Sequence, residues 1–187
     1  NEQYMEMVKQ HFNSVTLSNL MKSCYILKQD ASIESAKTGD GSPVLTYECI
    51  DPTLQWCMDN GVGMRGHTLV WHGQTSIWFF KKDYQNDWNA PNVDRETMLA
   101  RMENYIKGVL EFVQTEYPGV IYAWDVVNEA IEEEEDPGWR TRSSWYQIIG
   151  DDLIIHEFRF ARKYADKNVK LFYNDYNTFL SKKKKKI

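Results

Sequence analysis

Four apolar segments rich in β-branched and aromatic residues recur along the chain about 50 residues apart, with helical patterns between them. Strands that alternate with helices predict parallel β/α units, because two parallel strands need a long crossover connection. The segments carry apolar residues on both faces, which is typical of parallel strands covered on both sides. We therefore expect a parallel sheet formed by residues 12–16, 64–71, 120–127 and 169–173.

The helical patterns between these strands have clear start signals. An acidic residue precedes three of them, followed in one case by proline, and glycine or proline-glycine ends two. Predicted helices begin at Asp51, Asp94 and Asp151, and a further helical pattern occupies residues 2–10.

The length of the chain limits how many such units it can hold. A closed eight-stranded β/α barrel takes roughly 200–250 residues or more, whereas four strands and their helices already occupy these 187. We expect a single, incomplete domain over residues 1–187, an α/β chain that supplies about half of a (β/α)8 TIM barrel. The alternative is an open doubly wound sheet, but no glycine-rich phosphate turn follows the first strand.

Composition excludes several classes of partner. The net charge is −5 and no basic stretch is interleaved with aromatic residues, so we expect no nucleic acid. No apolar run approaches the roughly 20 residues of a membrane span, and no signal peptide is visible. The cysteines are odd in number and lack zinc-ligand spacing, which favours free thiols and predicts no metal and no cofactor. They are Cys24, Cys49 and Cys57.

Polar and aromatic side chains follow each predicted strand at its C-terminal end. In parallel β/α folds these strand ends and the loops after them form the active site. Four such clusters at one end favour a functional site over a structural network. Their members are Asn19 and Lys22, then His67, Trp71, His72 and Gln74, then Asp125, Asn128 and Glu129, and last Asn174, Asp175 and Tyr176.

Glu129 is the main candidate for general acid chemistry, because it stands where a buried strand ends. The structural alternative is a carboxylate at a helix N-terminus. We expect Asp125, four residues earlier, to orient a histidine or an arginine. His67 and His72 could hold a metal only with a third ligand such as Glu129, and the surrounding Asn, Gln and Lys side chains suit the hydroxyls of a sugar better.

Three stretches together resemble family 10 of the glycoside hydrolases, the xylanases. They are residues 65–74 (RGHTLVWHGQ), 124–129 (WDVVNE) and 173–177 (YNDYN), with a weaker fourth match in 12–22. Each motif is moderately specific alone, and all of them in order are highly specific. The resemblance covers nearly the whole chain.

The resemblance implies a (β/α)8 barrel of which this chain supplies roughly strands two to five. It implies that internal β-1,4 bonds of xylan are hydrolysed with retention of configuration, so the expected partners are xylan and xylo-oligosaccharides. A polymeric substrate implies a secreted or cell-surface protein, and we expect a monomer when complete. The nucleophilic Glu of this family lies on a later strand, so we expect it beyond residue 187.

Individual positions match the functional residues of the family. Glu129 matches the acid/base, and Asn128 matches the residue that binds the 2-hydroxyl of the reacting sugar. Asp125, His72, Asn174 and Asp175 match supporting positions. The remaining matches are Lys22, His67 and Trp71 around the reacting sugar, Asn19 and Gln74 at the next sugar, and Tyr176 lining the cleft.

Several positions depart from the family pattern. Ser18 and Leu20 stand where the family has Glu, and Ser23 stands where it often has Trp. The shorter, uncharged Ser18 implies a weaker hold on the distal sugar. Two alternatives stay open, a non-catalytic xylan-binding remnant and a β-glucan hydrolase on the same barrel, and the stretch 67–74 argues against the second.

Overall fold

The computed structural model describes residues 2–132 and 138–179. The strands among them are β1 (Ser14–Val15), β2 (Leu27–Lys28), β3 (Val44–Leu45), β4 (Gly63–Trp71), β5 (Ile121–Asn128) and β6 (Lys170–Asn174). The helices are α1 (Glu2–His11), α2 (Ser23–Ile26), α3 (Gln29–Thr38), α4 (Asp51–Asn60), α5 (Arg95–Glu116), α6 (Ser144–Ile149) and α7 (Leu153–Tyr164). Two 3-10 turns, Ile77–Phe80 and Lys82–Tyr84, lie in the loop between β4 and α5.

Four strands form one parallel sheet in the order β1-β4-β5-β6. Val15 aligns with Met64, Met64 with Ile121, and Ala123 with Lys170. Each strand therefore pairs with the next of the four along the chain, and helices cross over between them. This confirms the four predicted strands and their parallel pairing, which is the arrangement of β/α units.

The first and last strands differ from the expectation of long, doubly covered strands. β1 pairs over only two residues. β6 is partly exposed, with Phe172 38% accessible, because β5 is its only partner strand within the described ranges. Between β1 and β4 the chain adds α2, α3 and the antiparallel pair β2-β3. The strands β2 and β3 have two residues each, which is too short for hydrophobic periodicity to indicate.

The long helix α5 has a side-chain cap at its start, as its sequence predicts. Asp94 Oδ1 accepts a hydrogen bond from the Thr97 backbone N–H at 2.8 Å, which satisfies a donor that has no partner inside the helix. The apolar positions spaced as in a helix face inward and are buried. They are Met98, Met102, Tyr105, Ile106, Val109, Leu110 and Val113.

Helix α4 begins at Asp51, with Pro52 in its first turn, and stops before Gly61, whose φ is 64°. The N-cap position is Ile50, which forms no side-chain cap, because Asp51 is already the first residue of the helix. The Asp51 carboxylate accepts a hydrogen bond from the Tyr117 hydroxyl. Because Tyr117 directly follows α5, this bond ties α4 to the connection that leads into β5.

The core lies between the sheet and its helices. β5 is buried at every position except Tyr122. Phe79 from the loop after β4 packs edge-on against Trp145 of α6, with ring centroids 5.8 Å apart. These contacts fix the loops at the C-terminal ends of β4 and β5.

No helix in the described ranges combines the length and the apolar character that crossing a membrane requires.

Candidate active site

The C-terminal ends of β4, β5 and β6 lie side by side in register. Trp71 aligns with Asn128, and Asn128 aligns with Asn174. The parallel sheet thus brings the ends of three predicted polar clusters to one edge, where loops after the strands can complete a site.

Glu129 leaves β5 in a left-handed backbone conformation with φ 54°. Its N–H donates to the Asn174 carbonyl at 2.9 Å, and its own carbonyl accepts from Arg140 Nε at 3.0 Å. Its carboxylate accepts from Trp71 Nε1 at 3.0 Å on Oε2. A left-handed backbone conformation is uncommon outside glycine, and here it is held by the hydrogen bonds of the Glu129 N–H and of the Glu129 carbonyl. The carboxyl therefore has a fixed place and orientation.

Trp71 is itself held from several directions. Its carbonyl accepts hydrogen bonds from Trp145 Nε1 at 3.2 Å and from Thr75 Oγ1 at 3.0 Å. The Lys22 ammonium lies 4.5 Å from the centroid of its ring, within range of a cation–π attraction. With its Nε1 bound to Glu129, the indole links the carboxyl to the neighbouring cation.

Asn128 is buried beside Glu129, and its amide orientation is set by a neighbour. Its Oδ1 accepts a hydrogen bond from Asn174 Nδ2 at 2.7 Å. This bond occupies the acceptor and leaves the Asn128 amide N–H groups as donors for a ligand. A hydroxyl oxygen is a fitting acceptor for such a donor.

Asp125 lies beneath the site, 3% exposed, as the centre of a polar cluster. Its carboxylate binds Arg65 through Nε at 2.9 Å and His67 through Nδ1 at 2.9 Å, while its backbone carbonyl accepts from Thr68 Oγ1 at 2.8 Å. Burial opposes its ionisation, but the bonds from His67 and Arg65 outweigh burial and lower the pKa of Asp125. The ionised carboxylate fixes the His67 ring, so that Nε2 faces away from it.

Lys22 forms a second polar cluster with the other predicted sugar-binding residues. The ammonium donates to Asn19 Oδ1 at 3.0 Å and to Gln74 Oε1 at 2.6 Å. Lys22 is 7% exposed, so the two amide oxygens replace much of its hydration. The cluster brings together side chains from the loops after β1 and β4.

The departures from the family pattern also have defined places. Ser23 Oγ bonds to the Gln74 carbonyl at 3.2 Å and lies 2.8 Å from Thr75 Oγ1, so it braces the loop that carries Gln74. Leu20 packs against the apolar core, whereas Ser18 is exposed beside Asn19. The exchange of an acidic side chain for Leu20 thus has a packing reason.

His72 packs edge-on against Trp71, with ring centroids 5.4 Å apart. Burial and then the positive charge of Arg140 lower the pKa of His72, and the nearby carboxylates of Glu129 and Glu132 only partly offset them. The imidazole is therefore neutral at pH 7. Its side chain is exposed beside Trp71 and adds no charge there.

The loop after β6 carries Asp175 and Tyr176. The Tyr173 hydroxyl donates to Asp175 Oδ2, and the Tyr176 N–H donates to Asp175 Oδ1 at 2.8 Å. Burial and then the Asp175 carboxylate raise the pKa of Tyr173. Tyr176 is half exposed, which is compatible with the predicted role of its ring in lining the cleft.

The sequence did not single out Arg65, Arg140 or Thr75, which hold Asp125, Glu129 and Trp71. Arg65 stands inside a motif whose other members were assigned, and that proximity was the only signal for it. Within the ranges 2–132 and 138–179, no group of three or more His, Cys, Asp or Glu side chains is arranged to hold a metal ion.

Comparisons with known proteins agree on one family. The model of glycosyl hydrolase family 10 matches residues 1–187. Endo-1,4-beta-xylanase B of Butyrivibrio fibrisolvens is 50% identical over 175 residues, which are 94% of this chain and 27% of that protein. A putative endo-1,4-beta-xylanase of Caldicellulosiruptor saccharolyticus is 50% identical over 168 residues, 89% of this chain and 52% of that protein.

Among solved structures, the xylanase 10B of Clostridium thermocellum complexed with xylohexaose superposes with a TM-score of 0.89 at 36% identity. The match covers 99% of this chain and 37% of that one. The chain thus spans about half the length, or less, of the relatives it matches. The four-stranded parallel sheet is part of the (β/α)8 barrel of these relatives, and the chain belongs to glycosyl hydrolase family 10.

Proposed function

We propose that these residues form part of the catalytic domain of a retaining endo-1,4-β-xylanase, in which Glu129 is the acid/base. The observation that carries the proposal is the placement of the Glu129 carboxyl at the end of β5. Trp71 Nε1 bonds to it at 3.0 Å, and Asn128 stands beside it as a hydrogen-bond donor. Two relatives that are 50% identical to this chain are named as an endo-1,4-beta-xylanase and a putative endo-1,4-beta-xylanase.

Glu129 would act at both steps of the reaction. In the first, it gives its proton to the glycosidic oxygen while a second carboxylate bonds to the anomeric carbon and the carbon–oxygen bond breaks. In the second, it takes a proton from a water whose oxygen bonds to that carbon and displaces the carboxylate. Because Trp71 donates to Oε2, Oε1 is the oxygen that carries the proton.

The second carboxylate in a retaining enzyme lies about 5–5.5 Å from the first. We assign it, from the family resemblance, to a Glu on a later strand beyond residue 187. The cluster of Lys22, Asn19 and Gln74 would hold sugar hydroxyls beside the reacting sugar, since it offers both donors and acceptors. His67, oriented by Asp125, would contact the reacting sugar.

The substrate is a polymer too large to cross a membrane, so we propose that the protein works outside the cell or at its surface. We propose no cofactor. A monomer suffices, because the residues assigned to the site come from one chain.

Glu129→Ala tests the assignment in a polypeptide that also contains the second carboxylate. We expect hydrolysis of xylan to fall about 10²- to 10⁴-fold. An aryl xyloside with a very acidic phenol should lose far less in its first step, because that leaving group needs little protonation. Release of phenol and of reducing sugar measures the two reactions.

Glu96→Ala, an exposed carboxylate in the first turn of α5, is the matched control and should leave both activities unchanged. Equal loss on both substrates would mean that Glu129 is structural. A parent protein that binds xylan but cleaves neither substrate would instead support the non-catalytic remnant.

A further inference from the structure

The loop between β4 and α5 presents one indole almost wholly to solvent. Trp88 is 76% exposed, and its neighbours in sequence are Gln85, Asn86, Asp87 and Asn89, all exposed. Exposed amide and carboxylate residues flank the indole in sequence and add no contiguous apolar surface to it, so Trp88 does not resemble the apolar buried centre of a protein interface. It does resemble a surface for stacking a sugar ring, whose hydroxyls such groups can bind.

The tip of this loop is a defined turn. Asp87 Oδ1 accepts from the Asn89 N–H at 2.9 Å, and the Asp87 carbonyl accepts from the Ala90 N–H at 3.2 Å. Trp88 is therefore held at the corner of a turn that Asp87 closes with its side chain.

Two buried cations hold the base of the same loop. Lys81, 6% exposed, donates to the Trp88 carbonyl at 2.9 Å and to the Ala90 carbonyl at 2.8 Å. Arg101 of α5, equally buried, donates to the carbonyls of Phe79 and Lys81 at 2.7 and 2.9 Å. Burying cations is costly unless they are hydrogen-bonded. These hydrogen bonds hold the backbone of the loop that carries the exposed Trp88 side chain.

The position of this loop in the fold relates it to the site described above. The loop follows the C-terminal end of β4 directly after residues 71–74, so it lies at the same end of the parallel strands as Glu129. Its base also contacts the segment after β1, because Gln29 Nε2 donates to the Tyr84 carbonyl at 2.8 Å and the Tyr84 hydroxyl donates to the Gly41 carbonyl at 2.6 Å.

We propose that Trp88 is a secondary binding platform for a β-1,4-linked xylose polymer, outside the catalytic cleft and on the side of the Lys22 cluster. This rests on the proposed function. A chain held in the cleft at one end and stacked on Trp88 at the other would bind more tightly than a short oligosaccharide that fills the cleft alone.

The test compares Trp88→Ala, Trp88→Phe and the parent, each with Glu129→Gln to prevent cleavage. Tyr4→Ala, at an exposed aromatic on α1, is the control. Depletion onto insoluble xylan measures polymer binding, and calorimetry measures xylotriose binding. We expect Trp88→Ala to weaken polymer binding about tenfold, Trp88→Phe to weaken it less, and neither to change xylotriose binding.

Unchanged polymer binding in Trp88→Ala would overturn the platform, and so would an equal loss on xylotriose, because Trp88 would then belong to the cleft. A fall in sedimenting mass in Trp88→Ala would mark a self-association surface instead. Failure of the proposed function looks different: the parent would not bind xylotriose, while retention on the polymer would still depend on Trp88. A parent that binds neither overturns both.

Discussion

At the scale of single residues, the candidate site depends on side chains that have hydrogen-bond partners, and the nearby Glu157 carboxyl is one of the buried groups with an unpartnered atom. This carboxyl on α7 is 1% exposed and its Oε2 has no hydrogen-bond partner among the described residues. It lines a small cavity of about 30 Å³ together with Val127 of β5 and Trp145 of α6, and the same cavity reaches Glu129. Burial raises the pKa of Glu157 to about 8.

This carboxyl should make stability depend on pH. Its folded pKa of about 8 lies above the unfolded value near 4.3, so the folded state binds more protons between these pH values. The resulting contribution of Glu157 to the free energy of unfolding is fully present below about pH 4. It is lost as pH rises through 8, by roughly 3–5 kcal/mol in total. Glu157→Leu should abolish this loss and raise stability most at pH 8 and above.

Urea unfolding at pH 5, 7 and 9 measures the effect of Glu157→Leu. The control is Glu34→Leu at an exposed helical position, which should leave the slope of stability against pH as it is in the parent. Parallel pH profiles for the parent and Glu157→Leu would show that the carboxyl is not buried in its neutral form.

At the scale of elements, the close approach of β4 and β5 depends on a glycine. Gly66 aligns with Trp124 across the two strands. A Cβ at residue 66 would lie 2.3 Å from the Trp124 ring, far inside van der Waals contact. The buried indole fills the space that a side chain would need, and the two strands place Asp125 and His67 directly beyond this point.

Gly66→Ala should therefore destabilise the protein by about 2–3 kcal/mol through overpacking. Gly63→Ala on the same strand is the matched control. Its Cβ would lie 3.1 Å from the half-exposed Tyr122 ring, which can shift toward solvent, so the loss should be smaller. Urea unfolding measures both.

A double-mutant cycle identifies the cause. Trp124→Leu costs stability alone, but combined with Gly66→Ala it should recover part of the loss, because the smaller side chain makes room for the methyl group. Strict additivity of the two changes would locate the effect of Gly66→Ala in the backbone and not in the contact with Trp124.

At the scale of the whole molecule, the sheet has two outer edges in the described ranges. β1 pairs only with β4, and β6 pairs only with β5. Unpaired edges can recruit strands from other chains, and Phe172 on β6 adds partly exposed apolar surface. A closed barrel would cover both edges.

A polypeptide limited to these 187 residues should therefore self-associate, and it should not hydrolyse xylan, because the family's nucleophile is expected elsewhere. Sedimentation velocity over a range of concentrations and release of reducing sugar measure the two properties. A monomer that cleaves xylan would contradict both expectations, and Asp175, at the neighbouring strand end, would be the first carboxylate to test as its nucleophile.

Much of the architecture could be predicted from the sequence because period and spacing are local properties. The apolar runs at β4 and β5, the cap at Asp94 and the glycine after α4 each act within a few residues. The order of polar clusters after the strands was enough to expect that Glu129, Trp71 and Asn128 share one edge of the sheet. The resemblance to family 10 rests on the same linear motifs.

The tertiary structure alone decided which side chains meet. Only the register of β4 against β5 brings Arg65 to Asp125, and only the loop after β5 brings Arg140 to the Glu129 carbonyl. The orphaned Glu157 carboxyl and the exposed Trp88 also depend on how helices and loops pack. Contacts between residues some 60 positions apart in the chain follow from packing of the whole sheet, which no local pattern encodes.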